Sequence, residues 1–255
     1  MLLSLFIVVS SILLLSVKSS VFTSCSKTMQ RSASSWLSCA AASSVPPSEH
    51  VTFVQIGAND GIMCDPLHDV IIASKRRWRG VLVEPVPYLM YRLRHKTYRS
   101  FTNDFMYVEA AIAPTCAENG TITFFTIDPR NLSESHWMNG ISSLSVPRSR
   151  QASTYSRIVV ACMTVHDLAD QINLHGVNAP LILLIDVEGY DAVLVQALRT
   201  WPFGRPQMIL FELWPPKELP ENTYFDVFSF LNENGYVVVR ATGSADYVAL
   251  DVLAD

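Results

Sequence analysis

The segment LILLIDVEGYDAVL, residues 181–194, begins as an apolar run and then sets Asp186, Glu188 and Asp191 around Gly189. A carboxylate is costly to bury alone, so an acid ending an apolar strand needs a partner or a ligand. Asp186 and Glu188 are therefore candidate general bases, suited to taking the proton of a hydroxyl under attack, and Glu212 at the end of QMILFE is a third. Glu212 reads equally as a substrate-binding acid or an ordinary strand-end charge. Asp191 reads as a first-turn acid that favours the dipole of the next helix. The DxE spacing is too little for a metal site.

A second group lies earlier in the chain. VQIGANDG closes an apolar run with Gly57, Asn59, Asp60 and Gly61, and GVLVE closes the next run with Glu84. Glycines at a strand end let the backbone turn sharply and approach a ligand. An acid about 20 residues later, at the next strand end, is placed to bind both ribose hydroxyls of a nucleoside. The turn is not GxGxxG, and Asp60 is a poor neighbour for a pyrophosphate seated on a helix N-terminus. A cationic nucleoside, S-adenosylmethionine, tolerates Asp60 better, so charge favours a methyl donor over a nicotinamide dinucleotide. His136 reads as a base on a closing loop or as a solvated histidine, and Trp137 and Trp214 as sugar-stacking or core residues.

These residues need a scaffold that brings strand ends together. From His50 onward, short apolar runs alternate with helical patterns: strands at 51–57, 80–84, 106–112, 121–127, 158–163, 181–186 and 207–212, with helices between most of them. Asp65-Pro66 starts a helix that should run to Arg77, leaving Lys75-Arg76-Arg77 as a solvated helix end. A second helix should cover 87–98, Thr164 can cap a third to about His175, and a fourth should follow over 190–200. Gly235 should stop the last helix, over 222–234, before strands at 236–241 and 247–253. The stretch 128–157 reads as a long binding loop or lid. This pattern predicts an α/β fold with a mainly parallel sheet, helices on both faces and a C-terminal antiparallel hairpin, as one domain over 49–255. Ligands of such sheets bind outside the carboxyl ends of the strands at the switch point, where Asp186 and the Gly57 turn should meet.

Hydrophobic content of 49% in a 255-residue chain supports a sizeable core and excludes wholesale disorder. A net charge of −4 gives no general attraction to phosphate backbones, so no nucleic-acid partner is expected. Residues 1–17 are an apolar segment that reads as a signal peptide or a signal anchor, giving possible membrane attachment and a secretory-pathway location. Residues 18–48 read as a Ser/Ala-rich stalk or a transit-like linker, the latter implying a plastid address instead. The five cysteines show no CxxC or metal-ligand spacing. Asn119-Gly-Thr and Asn131-Leu-Ser are glycosylation sequons, relevant only in a secretory compartment.

GANDG, VEPVP, the ISSL of Ile141–Leu144, IDVEGYD and ILFEL occur in that order, and together they resemble the FkbM-type methyltransferases over most of residues 51–213. The resemblance implies a class I, Rossmann-like methyltransferase fold, S-adenosylmethionine as donor, and O-methylation of hydroxyls on a sugar, a glycan or a small metabolite. It also implies that Gly57, Asn59, Asp60 and Gly61 line the donor, that Glu84 holds its ribose and that Asp186 faces its methyl group. His166 stands where the family commonly has an acid or a small polar residue. Two other readings share the scaffold. A nicotinamide-dependent oxidoreductase is disfavoured by the missing third glycine. A catalytically inactive binding module would be expected to have lost Asp60, Glu84 or Asp186, and all three are present.

Overall fold

The computed structural model describes residues 25, 32–43, 49–62, 65–101, 103–127, 142–144, 155–177, 180–201, 204–213 and 222–253. The apolar leader 1–17, His136, Trp137, Trp214, the Asn131 sequon and most of the 128–157 stretch lie outside the described residues. In chain order, helix α1 (Ala33–Ser43) precedes β1 (His50–Ile56), α2 (Pro66–Ala73), β2 (Arg77–Val83) and α3 (Pro87–Arg92). Then come β3 (Phe105–Val108), β4 (Ala111–Ile112), β5 (Thr121–Ile127), β6 (Ser142–Ser143) and β7 (Tyr155–Met163). The chain continues through α4 (Val165–Leu174), β8 (Ile182–Ile185), α5 (Asp191–Ala197), β9 (Met208–Glu212), α6 (Thr223–Glu233), β10 (Tyr236–Arg240) and β11 (Asp246–Asp251).

Seven strands form the main sheet in the order β3-β2-β1-β8-β9-β11-β10. The first five run parallel, while β11 lies antiparallel to both β9 and β10. The strand order reverses between β1 and β8, which is the switch point of a doubly wound sheet. With the reversed strand set inside the edge strand, this is the class I methyltransferase arrangement. The predicted C-terminal hairpin is present, and its second strand inserts next to β9.

Strand alternation sorts the core into two faces. Val51, Phe53, Ile182, Leu184, Met208, Leu210, Val248 and Leu250 face α1 and α2. Val54, Ile56, Leu183, Ile185, Ile209 and Phe211 face α4, α5 and α6. Local chemistry starts the helices where the sequence suggested. Asp65 Oδ1 accepts the Leu67 amide at 2.8 Å with Pro66 in the first turn. Thr164 and Asp167 form a reciprocal capping box on α4, and Gly235 takes φ 77° just past α6.

Four expectations change. Helix α2 ends at Ala73, and Arg77 opens β2, which pairs along the whole length of β1, so Lys75-Arg76-Arg77 is no helix end. The second helix stops at Arg92 and continues as a π-helical turn over Leu93–Thr97. The strand expected over 106–112 is split. Its first part pairs with β2 as far as Val83, where β2 gives out, and β4 crosses to pair with β7 in a second sheet ordered β4-β7-β5-β6. Finally, residues 33–43 are not stalk. Ala33, Trp36, Leu37, Ala40 and Ala41 recur at helical spacing and bury against the sheet, Trp36 and Leu37 completely. Burying two such side chains stabilises by roughly 2 kcal/mol each, enough to fold a segment whose many serines read as linker. A disulfide between Cys25 and Cys39 ties the preceding chain to this helix.

Candidate functional site

The site forms where the apolar rows on the α1/α2 face run out. The row Ile182, Leu184 ends in Asp186, the row Met208, Leu210 ends in Glu212, and the row Leu250, Val248 ends in Asp246. By alternation all three acids lie on one face at one edge, with Glu212 and Asp246 paired directly across β9 and β11. A cavity of about 320 Å³ opens there, lined by Asp186, Leu184, Leu210 and Asp246 of the sheet, Ser34 of α1, the capping Asp65, and Pro66 and Asp69 of α2.

Burial and like charge set the protonation of these acids. Burial pushes the Asp186 carboxyl well above the usual carboxylate range, and Asp191, Glu188, Glu212 and Asp246 push it in the same direction. Burial and Glu212 push Asp191 up to about 8. Burial raises Asp246 against a hydrogen bond from Ser244. Acids crowded in this way titrate as a coupled set, and their raised proton affinity suits one of them to act as a base.

The turn after β8 is held from within. Glu188 takes φ 55° and Gly189 φ 94°. Asp191 is buried, and its two oxygens accept the Val187 amide at 3.4 Å and the Gly189 amide at 3.2 Å. Asp191 is thus a structural acid, although it braces the turn rather than sitting solvated at a helix start. Asp186 keeps part of its surface accessible, as does Glu212.

The β1 turn meets this edge directly. The Asp186 amide donates to the Ile56 carbonyl at 2.9 Å, and a Cβ on Gly57, which has φ 84°, would overlap the Asp186 carbonyl oxygen. At Gly61, with φ 71°, a Cβ would crowd Leu93 and Tyr98. Both glycines are therefore required by the protein's own packing, beyond any ligand they line. Asp60, used in the sequence argument for its negative charge, is buried and ion-paired: Oδ2 lies 3.2 Å from Arg92 Nη2, and Oδ1 accepts the Ile62 amide at 3.1 Å. Its charge is answered by Arg92 of α3, so it is not a free negative charge facing a ligand.

Glu84 is the group best prepared for a nucleoside. It is buried, Oε2 accepts the Asn59 amide at 2.9 Å, and Oε1 accepts the Val86 amide at 2.8 Å. Each oxygen keeps capacity for another donor, which fits a ribose diol. Burial pushes Glu84 up to about 7, the two amides opposing and Asp60 adding to the rise. Asn59, at φ 52°, links this acid to the glycine turn. The residues present therefore fit an adenosine-bearing donor, whose ribose Glu84 would hold beside the Gly57 turn.

The structure brings Gly57, Asn59, Asp60, Gly61 and Glu84 together at the ends of β1 and β2, and Asp186, Glu188 and Glu212 at the ends of β8 and β9. Sequence reasoning missed Asp246, Arg92, and the α1 and α2 residues that wall the cavity. Asp246 follows a turn signal in a C-terminal hairpin, and only the insertion of β11 beside β9 carries it to Glu212. Among the described residues no group of three or more His, Cys, Asp or Glu could hold a metal ion.

A family model described as the methyltransferase FkbM domain matches residues 55–238. No curated protein matches the chain in sequence. Among solved structures, the methyltransferase FkbM from Methylobacillus flagellatus is similar at 14% identity and a TM-score of 0.44, over 79% of this chain and 43% of that one. Fibrillarin from Aeropyrum pernix, in complex with natively bound S-adenosyl-L-methionine, is similar at 14% identity and a TM-score of 0.41, over 81% of this chain and 69% of that one. A SAM-dependent methyltransferase from Aquifex aeolicus is similar at 8% identity and a TM-score of 0.40, over 82% and 85% of the two chains.

Proposed function

The chain belongs to the FkbM methyltransferase family, and from that premise we propose that it methylates a hydroxyl oxygen on a sugar, a glycan or a small metabolite. S-adenosylmethionine is the donor, and when bound it supplies an electrophilic methyl group on a sulfonium. Glu84 would accept its ribose hydroxyls, while the Gly57–Gly61 turn and the Asp186 edge would flank it. The observation that carries the reading is Asp186 itself: a partly accessible acid, raised in proton affinity, at the switch point and on the wall of the cavity.

In this reading the chain holds the acceptor hydroxyl over Leu184 and Leu210 and takes its proton on Asp186. Glu212 and Asp246 tune that proton affinity from the neighbouring strands. Glu188 sits in the turn beside them and is the nearest substitute base. The cavity has Asp65, Asp69, Asp186 and Asp246 on its lining, which supports a second acceptor class, an amine that binds as its ammonium, gives one proton to Asp186 and is then methylated on the neutral nitrogen.

Calorimetric titration with S-adenosylhomocysteine, with NAD alongside and a Glu84→Ala control, tests the donor site. Saturable binding weakened by the substitution supports it; binding of NAD instead overturns it. Transfer from labelled donor to matched hydroxyl and amine acceptors then decides the oxygen reading, which fails if only amines are labelled.

The apolar leader and the disulfides Cys25–Cys39 and Cys116–Cys162 support a secretory compartment, since disulfides persist in oxidising surroundings. A bipartite plastid address is the alternative. Among the described residues no helix is long and apolar enough to cross a membrane, so membrane attachment would fall to the leader. Fusing residues 1–48 to a reporter distinguishes lumen, membrane and plastid.

A further inference from the structure

We propose that Asn119 is an N-glycosylation site: its side-chain amide accepts an oligosaccharide in the secretory compartment. The inference rests on the secretory reading above and goes beyond it by assigning a modified atom. Asn119-Gly120-Thr121 sits in the tight turn that leads into β5, closed by the Gly120 amide donating to the Ala117 carbonyl at 2.8 Å. Glu118, Asn119 and Gly120 are all exposed, and a Cβ built on Gly120 meets nothing within 4 Å, so the space around the turn is open.

The turn presents the acceptor in an ordered way. Asn119 Oδ1 accepts the Thr121 amide at 3.2 Å and the Thr121 hydroxyl at 2.9 Å. Both bonds engage Oδ1, leaving Nδ2, the atom that would carry the sugar, outside them. The turn is anchored on both sides: the Cys162 amide donates to the Gly120 carbonyl at 2.9 Å, and Cys116 is disulfide-bonded to Cys162. A disulfide three residues before the acceptor ties this same turn to oxidising chemistry. The turn joins β4 to β5 of the second sheet, outside the strand ends that build the acid cluster, so a bulky glycan there leaves the cavity clear.

In the transfer, Asn119 Nδ2 forms a bond to the anomeric carbon of an oligosaccharide carried on a lipid pyrophosphate. The bond from that carbon to the pyrophosphate oxygen breaks, the lipid pyrophosphate leaves, and Nδ2 gives up one proton. The compartment's own transferase and lipid-linked donor supply the reaction; Asn119 is the acceptor only.

The test expresses the full chain in eukaryotic cells that use the secretory pathway, on an Asn131→Gln background that removes the second sequon. The expected result is a mass excess of one oligosaccharide, removed by peptide N-glycosidase with Asp left at position 119. Asn119→Gln and Thr121→Ala should abolish the excess, and Thr121→Ser should retain it. Leader processing and the Cys116–Cys162 bond are read from the same samples by peptide mass. A chain with the disulfide formed but Asn119 unmodified overturns the glycosylation site while the compartment reading stands. A chain with all cysteines reduced and no glycan overturns both.

Discussion

Gly57 and Asp186 touch backbone to backbone, with no room for a Cβ on Gly57 before it meets the Asp186 carbonyl oxygen. This contact locks the turn that would cradle the donor to the acid that would take the proton. Gly57→Ala must either strain a left-handed residue, at about 1 kcal/mol, or push the two strand ends apart. The larger effect is on position: a shift of about 1 Å at such a junction costs roughly 100-fold in rate. The expected outcome is a folded protein of lower Tm that no longer binds S-adenosylhomocysteine measurably in calorimetry.

Glu84 predicts a pH dependence whose sign follows from its environment. Its folded pKa of about 7 lies above the ordinary 4.5, so the folded state holds the proton more tightly than the unfolded one. The resulting stability is fully present below pH 4.5 and is lost as pH rises through about 7. Asp191, raised to about 8, acts in the same direction. Thermal melts of the ligand-free protein should therefore show a Tm falling from pH 5 to pH 8 beyond what Glu84→Gln shows. Ribose hydroxyls donated to Glu84 would favour its ionised form, so ligand binding at pH 7 should release about half a proton. Titrations in buffers of different ionisation enthalpy measure that release, and Glu84→Gln should abolish it.

What could be read from the chain, and what could not, follows from which signals are local. The strands β1, β2, β8 and β9 announce themselves as short apolar runs because both of their faces are covered, and their acidic ends follow from where the runs stop. Glu84 and Asp186 could be found that way. Helix α1 escaped because its stripe of Ala33, Trp36, Leu37, Ala40 and Ala41 is mostly small residues diluted by serine. The ion pair of Asp60 with Arg92 joins a turn to a helix 32 positions on, and no local pattern reports it. Asp246 depends on strand insertion, a property of the whole sheet.

Arg92 pairs with Asp60 and also donates to the Tyr88 hydroxyl at 3.2 Å, and the Asp60 pair is the contact expected to matter more. Removing its guanidinium leaves Asp60 buried and without its ion-pair partner, a change that costs about 3–5 kcal/mol when the pair is fully buried and less here, where Arg92 is partly exposed. Arg92→Ala should destabilise more than Asp60→Asn combined with Arg92→Ala. A double-mutant cycle by urea denaturation gives the coupling directly, and a coupling near zero would make the pair incidental.

The Cys116–Cys162 bond closes a stretch with a sequence separation of 46 and holds the turn before β5 to β7. Chain-entropy arguments assign such a closure about 4 kcal/mol. Cys116→Ser with Cys162→Ser should lower Tm by roughly 10 °C in a domain of this size. The same pair of substitutions should leave affinity for S-adenosylhomocysteine unchanged, because the turn lies outside the strand ends that would build the donor site. Scanning calorimetry and titration on one preparation separate the two effects.

Asp186 carries the sharpest test of chemistry. Asp186→Asn keeps the size of the side chain but cannot take a proton, so turnover should fall about 10²–10⁴-fold while donor affinity changes little. Its neighbours then predict a second effect that a structural role would not produce. Glu212 is one of the like charges that raise the Asp186 pKa. Neutralising it in Glu212→Gln lowers that pKa, so the ionised base appears at lower pH and the acid limb of the rate profile moves down. Single-turnover rates against pH, with an acceptor from the hydroxyl screen, read this shift. An acid limb that stays in place while Asp186→Asn retains full turnover would transfer the base role to Glu188 or to Glu212 itself, and Glu188→Gln would then be expected to show the loss.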